Sequence, residues 1–156
     1  MAQTIDVVEF EIGGALYALD IQLAREIVEM MPITSVPRAA AHVAGIINLR
    51  GEITNIINLQ TLLCITRRDV PDHQKIIVLI PEAAGGANVG IIVDDVHSVI
   101  SVPEENIEQI DGSISNEAAI KGIIKMRGAD SAAKKEAGKL VIWLDIRRML
   151  QVPAGS

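Results

Sequence analysis

The residues able to do chemistry are few, and most are scattered. The three histidines, His42, His73 and His97, lie in separate segments, with no HxH, HExxH or Cys/His spacing that would hold a metal. Asp94-Asp95 with His97 is the densest group. Two carboxylates and an imidazole could share a proton or bind a small polar ligand. However, neighbours on a strand point to opposite faces, so Asp94 and Asp95 converge only at a bulge, and a structural turn is the plainer reading. A small-ligand-binding or catalytic barrel using Asp94, Asp95 and His97 stands as the alternative function. Cys64 sits among Leu62, Leu63 and Ile65 without a neighbouring histidine, which predicts a buried, inert thiol. A single cysteine makes no internal disulfide and points to a reducing compartment. Gly85-Gly86 lacks the Lys-Ser/Thr and helix of a phosphate cradle. Arg67-Arg68, Lys134-Lys135 and Arg147-Arg148 read as solvated charge pairs.

Arg50-Gly51 is different. Strands on either side hold up an arginine beside a turn glycine, which presents a planar guanidinium at a fixed position. Asn48 lies just before it. Two readings are open: a solvated arginine on a surface hairpin, or a rigid recognition tip for a protein partner.

The elements that carry these residues are mostly strands. Of 156 residues, 25 are Ile, 14 Val and 11 Leu, against one Phe, one Tyr and one Trp. Branched aliphatic side chains fit a pleated sheet better than a helix. Val8, Phe10 and Ile12 alternate on one face, Gly13-Gly14 marks a turn, and Ala15 to Leu19 returns. Ile21, Ala24, Ile27, Val28 and Met31 recur at helical spacing, which predicts a short amphipathic helix over Ile21 to Met30 carrying Glu26. Ile33 to Val36 is extended between Pro32 and Pro37. Gly45 to Leu49 and Ile53 to Ile57 flank Arg50-Gly51-Glu52 as a hairpin, with Gly51 needing positive φ. Leu59 to Cys64 is a short helical turn. Lys75 to Ile80 is a strand buried on both faces, and Val89 to Val102 is extended with a bend at Asp94-Asp95. Residues 104–119 are loop-like. Gly122 to Met126 and Leu140 to Leu144 are strands around a flexible loop at 129–138. Asp145 caps a final short helix with Ile146, Met149 and Leu150.

The chain also resembles itself. Gly45-Ile46-Ile47-Asn48-Leu49-Arg50-Gly51 matches Gly122-Ile123-Ile124-Lys125-Met126-Arg127-Gly128, and Ile56 to Leu63 answers Trp143 to Leu150. Tyr17, Leu19 and Asp20 stand against Ile91, Val93 and Asp94. Chance likeness among Ile-rich hairpins is the competing explanation. Two copies of one strand-rich unit, with no long crossover helix, predict a mainly β chain of two small barrels. The polar stretch from Arg67 to Gln74 is the best boundary, so the first subdomain is expected at 1–70 and the second at 71–156, with terminal strands open to exchange. A net charge of −6 and few aromatic rings argue against nucleic acid. The absence of a long apolar run argues against membrane insertion, and the N-terminus lacks a signal-peptide layout, so a soluble cytoplasmic protein is expected.

Over nearly its whole length the sequence resembles the CheW family of chemotaxis coupling proteins. The likeness is carried by Phe10-Glu11-Ile12-Gly13-Gly14, Tyr17-Ala18-Leu19-Asp20-Ile21, Arg25-Glu26-Ile27, Ile33-Thr34-Ser35-Val36-Pro37, the Gly45–Gly51 segment, and Val141-Ile142-Trp143-Leu144-Asp145 with Met149-Leu150. The resemblance implies two SH3-like five-stranded β-barrels on a shared hydrophobic core, with short helices. It also implies a non-catalytic, cofactor-free adaptor between the signalling tip of methyl-accepting chemoreceptors and the regulatory domain of the histidine kinase CheA, and self-association in arrays. It assigns receptor or kinase binding to Ala24, Glu26, Ile27, Gly45, Ile47, Asn48, Leu49, Arg50 and Gly51, with Glu26 and Arg50 as the coupling charges. Ala24 stands where relatives often have a larger Val, and Asn55 and Asn58 where many have Pro and Asp.

Overall fold

A tight hairpin opens the fold. β1 (Thr4–Ile12) and β2 (Ala15–Asp20) pair antiparallel, with Phe10 opposite Tyr17. Gly13 and Gly14 join them with φ of 62° and 84°, the positive pair that a type I′ turn requires. The computed structural model describes residues 3–63, 65, 71–109, 120–126 and 139–150. Cys64, Arg67-Arg68, Arg127-Gly128 and the 129–138 loop with Lys134-Lys135 lie outside the described residues.

The helix expected over Ile21–Met30 does not form. A 3-10 turn covers Ile21–Leu23, and the chain then runs extended as β3 (Ala24–Glu29). Arg25, Ile27 and Glu29 are exposed while Ala24, Glu26 and Val28 are half-buried, a period of two. The apolar residues that suggested a helix belong to two different elements. Pairing with β6 (Lys75–Leu79) decides the conformation, setting Ile27 opposite Ile77 and Val28 opposite Ile76. The β-branched Ile27 and Val28 suit that outcome.

The remaining elements are β4 (Val43–Leu49), β5 (Glu52–Asn58), the helical turn α1 (Leu59–Leu62), β7 (Val89–Val93), β8 (Asp95–Pro103), β9 (Ile107–Glu108), β10 (Ile120–Met126), β11 (Lys139–Leu144) and α2 (Ile146–Met149). Asp145 caps α2 as expected, its Oδ1 accepting the Arg148 N–H at 3.1 Å. The stretch after Pro103 is not wholly loop. A 3-10 turn at Glu104–Asn106 leads into β9, which is too short to show a period and exists by pairing with β10.

The strands form two sheets, ordered β8-β1-β2-β11-β10-β9 and β3-β6-β7-β5-β4. Each sheet draws strands from both halves of the chain. Each also closes on itself. β8 and β9 lie at opposite edges of the first sheet yet follow one another in the chain, so the Glu104–Asn106 turn carries one broken strand around the ring. In the second sheet, Thr34 leaves β3 behind and bridges to Ile46 of β4, with reciprocal N–H···O bonds of 2.9 and 2.8 Å. The result is two small SH3-like barrels, the first counted as six strands because its closing strand is broken.

The sequence repeat has a physical counterpart at two glycines. Gly45 pairs with Ile56 just past a register irregularity, and Gly122 pairs with Trp143 in the same way. A Cβ on Gly45 would lie 2.2 Å from the Thr34 carbonyl oxygen. One on Gly122 would lie 2.9 Å from Ile107 Cγ2 and 3.1 Å from the Glu108 carbonyl oxygen. Both glycines admit the segment that closes their barrel, so the likeness between the two hairpins is not chance.

Three apolar clusters follow from this arrangement. Val7, Ala18, Val102, Ile124 and Val141 fill the first barrel. Ile47, Leu49, Ile56, Ile76 and Val78 fill the second. Between the barrels lies the largest, with Val8, Phe10, Leu19, Ile77, Leu79, Ile91, Val93 and Leu144 among its members. Phe10 and Tyr17 stack there with ring centroids 6.0 Å apart, and burial pushes the Tyr17 phenol up from its ordinary pKa. The apolar run of β6 is thereby explained: Ile76 and Val78 point into a barrel, and Ile77 and Leu79 into the seam.

Gly45→Ala is expected to cost about 3 kcal/mol or more, because the Thr34 backbone that closes the barrel must move. Gly14→Ala, whose Cβ would meet open space, is expected to cost only about 1 kcal/mol for its positive φ. Urea denaturation midpoints of the two variants check the ordering.

Candidate functional site

The Arg50 tip is built by a two-residue loop. Leu49 pairs with Glu52, leaving Arg50 and Gly51 as the central residues, with φ of 51° and 88°. Gly51 takes that conformation freely, but Arg50 does not. Asn48 Oδ1 accepts the Gly51 N–H at 2.8 Å and clamps the turn from below. Leu49 and Ile47 point inward and are buried in the second barrel's core. The tip is therefore fixed from its base.

Arg50 reaches across the barrel mouth to Glu26, its Nη2 donating to Glu26 Oε2. Arg25 stands beside them, with Nη1 3.6 Å from Glu52 Oε1 and Nε 3.9 Å from Glu26 Oε2. Two cations and two anions so form a neutral chain joining β3 to the β4–β5 hairpin. The hydrogen bond that Arg50 donates to the Glu26 carboxylate, and that carboxylate's negative charge, raise the Arg50 pKa above its ordinary value. Glu26 is placed here by its strand register, opposite Val78 and directly after the irregularity that separates it from Ala24.

The other predicted residues take distinct places. Ile27 lies opposite Ile77 of the shared core and is 43% exposed, so it is the open margin of the seam between barrels. Asn48 is exposed and faces outward with its partner Ile53, itself 59% exposed. Ala24 packs at the edge of the shared core, and Gly45 lies at the far end of β4 beside Thr34. Glu26, Asn48 and Arg50 meet at the surface around the tip, and Ile27 is exposed on the other face of β3. Ile47, Leu49, Gly45 and Ala24 support them from within. Arg25, Glu52 and Ile53 were missed by sequence reasoning. Reading 24–29 as a strand would have placed Arg25 beside the hairpin, and the Asn48–Ile53 pairing would have turned Ile53 outward.

The alternative centre at Asp94, Asp95 and His97 does not assemble. Asp94 is buried, its Oδ2 accepting the Gly13 N–H at 2.8 Å and its Oδ1 accepting from Gln74 Nε2 at 3.2 Å. Asp95 is exposed and accepts the Val96 N–H at 2.9 Å, while His97 Nε2 lies 3.1 Å from Glu11 Oε1. These bonds go to four different residues, none of them shared between two of the three side chains. Asp94 is a structural anchor between the β1–β2 turn and the chain entering β6.

Twin barrels on one shared core, with a strained and ion-paired hairpin tip on the second barrel, offer a fixed surface for contact with other macromolecules. A model of the CheW-like domain matches residues 6–154. Chemotaxis protein CheW of Thermotoga maritima is 30% identical over 146 residues, covering 94% of this chain and 87% of that protein. Chemotaxis protein CheW of Bacillus subtilis is 28% identical over 145 residues, covering 87% and 91%. Among solved structures, the scaffolding protein TtCheW from Thermoanaerobacter tengcongensis superposes with a TM-score of 0.76 at 30% identity, covering 96% of this chain and 94% of that one. The chain belongs to the CheW family and acts as an adaptor in chemotaxis signalling. No helix among the described residues is long and apolar enough to cross a membrane.

Replacing Asp94 by Ala removes a buried carboxylate that accepts the Gly13 N–H and is expected to destabilise the fold by about 1–3 kcal/mol. Asp94→Asn, which keeps an acceptor, is expected to lose less. Guanidinium unfolding curves for both variants measure the difference.

Proposed function

We propose that this chain is a non-catalytic cytoplasmic adaptor that couples the signalling tips of methyl-accepting chemoreceptors to the regulatory domain of the histidine kinase CheA. The observation that carries the reading is Arg50. A bulky residue is held at positive φ in a turn whose Gly51 N–H is bonded to Asn48, and its side chain is tied to Glu26 on a strand from another part of the sheet. Observed strain of this kind, maintained by its surroundings, is a recurrent mark of a functional position.

The docking edge comprises Glu26, Ile27, Asn48 and Arg50, with Ile53 beside them. Ile27 supplies apolar contact at the margin of the shared core, where a helical partner can continue the burial that the core begins. The guanidinium and carboxylate set orientation and exclude partners with the wrong charge order. The signal passes as a difference in contact free energy between partner states, with no bond made or broken in this chain. The barrel surfaces further support assembly with the kinase domain and self-association within arrays, as the family resemblance implies.

Arg50→Glu places two carboxylates together at the tip. It is expected to leave the circular dichroism spectrum and melting temperature near those of wild type while abolishing receptor-dependent kinase activation in a reconstituted assay. The charge-swapped double variant Glu26→Arg/Arg50→Glu restores the pair but reverses its polarity, so it is expected to remain inactive. Full activation by Arg50→Glu would contradict the reading. Recovery in the double variant would mean that the ion pair matters only within the chain.

A further inference from the structure

Among the described residues the chain passes between the two sheets twice, and an aspartate stands at each passage. Asp94 separates β7 in one sheet from β8 in the other, and Asp20 ends β2 just before the Ile21–Leu23 turn that leads into β3. The sequence repeat sets these two residues opposite one another. Asp94 is the buried anchor described above. Asp20 gathers a different set of groups. Its Oδ1 accepts the Trp143 Nε1–H at 2.6 Å, and its Oδ2 accepts from Lys121 Nζ at 2.9 Å. Lys121 Nζ also lies 4.9 Å from the centroid of the Trp143 ring. One carboxylate so ties β10 and β11 to the end of β2. Hydrogen bonds to an ionised acceptor are the stronger kind, and the carboxylate is only 26% exposed.

The other end of the passage is pinned as well. Leu23 is buried in the shared core, and its carbonyl accepts the Ile80 N–H at 2.9 Å. β3 begins at the next residue, its register slips between Ala24 and Glu26, and Glu26 then meets Arg50. Between the two pins lies a single 3-10 turn, whose hydrogen bonds are poorer than those of an α-helix, followed by a bulged strand start. The path is short and weakly held except at its ends.

We infer that Asp20 is a positioning residue for the docking edge: by latching the end of β2 to Trp143 and Lys121 of the first barrel, it fixes where β3 starts and holds Glu26 and Ile27 in place beside Arg50. The inference rests on the docking edge proposed above. It has a mechanical consequence, because strands β10 and β11 of the first barrel are thereby coupled to the tip of the second.

The test measures binding of a soluble chemoreceptor signalling-tip fragment to Asp20→Ala, Asp20→Asn, Trp143→Phe and Arg50→Glu, with melting temperature and backbone amide shifts recorded for each. Asp20→Ala and Trp143→Phe are expected to weaken binding about fivefold or more and to move the amide resonances of Glu26 to Val28. Asp20→Asn, which keeps an oxygen for the Trp143 N–H but loses the charge facing Lys121, is expected to fall between Asp20→Ala and wild type. In Asp20→Ala, emission from Trp143, the one tryptophan in the chain, should report loss of the latch directly. A merely structural role would lower the melting temperature without moving the Glu26–Val28 resonances or the affinity of the folded protein. Wild-type binding by folded Asp20→Ala and Trp143→Phe, or equal damage from Asp20→Asn and Asp20→Ala, would overturn the inference. Should Asp20→Ala fail to fold, Trp143→Phe decides the matter, since it removes the donor and leaves the carboxylate. Arg50→Glu separates the two ideas: normal binding by it removes the docking edge and the latch together. Lost binding there, with normal binding by the latch variants, removes the latch alone.

Discussion

Strands β1 and β6 must be buried on both faces, and the rest of the molecule is arranged around that demand. Val7 points into the first barrel while Val8 and Phe10 point into the seam; Ile76 and Val78 point into the second barrel while Ile77 and Leu79 point into the same seam. β6 has no polar face to give to water, and β1 interrupts its second apolar face only with Glu9 and Glu11, so neither barrel can leave its inner strand exposed. Each fully buried Val, Leu or Ile contributes about 1.5–3 kcal/mol relative to exposure, and the shared cluster removes many such side chains from water at once. The two barrels are in this sense one folding unit, although each has its own interior. Ile27 is left at the margin because β3 is the edge strand beside β6, where the seam ends.

How much of this could be read from the chain depended on range. Local rules located the hairpins, the Gly51 turn and the Asp145 cap, since each rests on groups a few residues apart. The repeat anticipated that Gly45 and Gly122 would be equivalent, and the reason emerged only from the closing segments that press against them. Helical spacing failed at Ile21–Met30 because six residues of β3 satisfy two periods, and the hydrogen-bonding partner that decides between them lies far along the chain. β9 escaped notice for a similar reason. Of the site, Glu26 and Arg50 were legible through the family resemblance, whereas the Arg25–Glu52 contact required knowing that β3 is extended.

The same distinction separates contact residues from supporting ones. Ile47, Leu49, Asn48 and Arg50 are consecutive in sequence or nearly so, yet alternate between barrel interior and surface. A motif seen in sequence fuses both roles, because the buried pair fixes the height and direction of the exposed pair. Under the proposed function, substitutions at Leu49 act through the barrel core and those at Arg50 through the partner, although the two residues are neighbours.

The choice of arginine at position 50 then needs its own explanation. Asn, Asp or Gly would occupy the first central position of such a turn with less strain, so turn geometry does not select arginine. Stability does not select it either, since ion pairs between groups this exposed contribute little in water. What the position does provide is direction. Asn48 fixes the backbone of the turn through the Gly51 N–H, and Glu26 gives the exposed guanidinium one preferred direction. Under the proposed function, a partner that meets this fork finds part of its rotamer entropy already spent and its charge partly balanced, which lowers the cost of ordering it on binding. A strained turn, a neutral pair and an adjoining apolar margin are together the arrangement that lowers the cost of repeated, reversible contact.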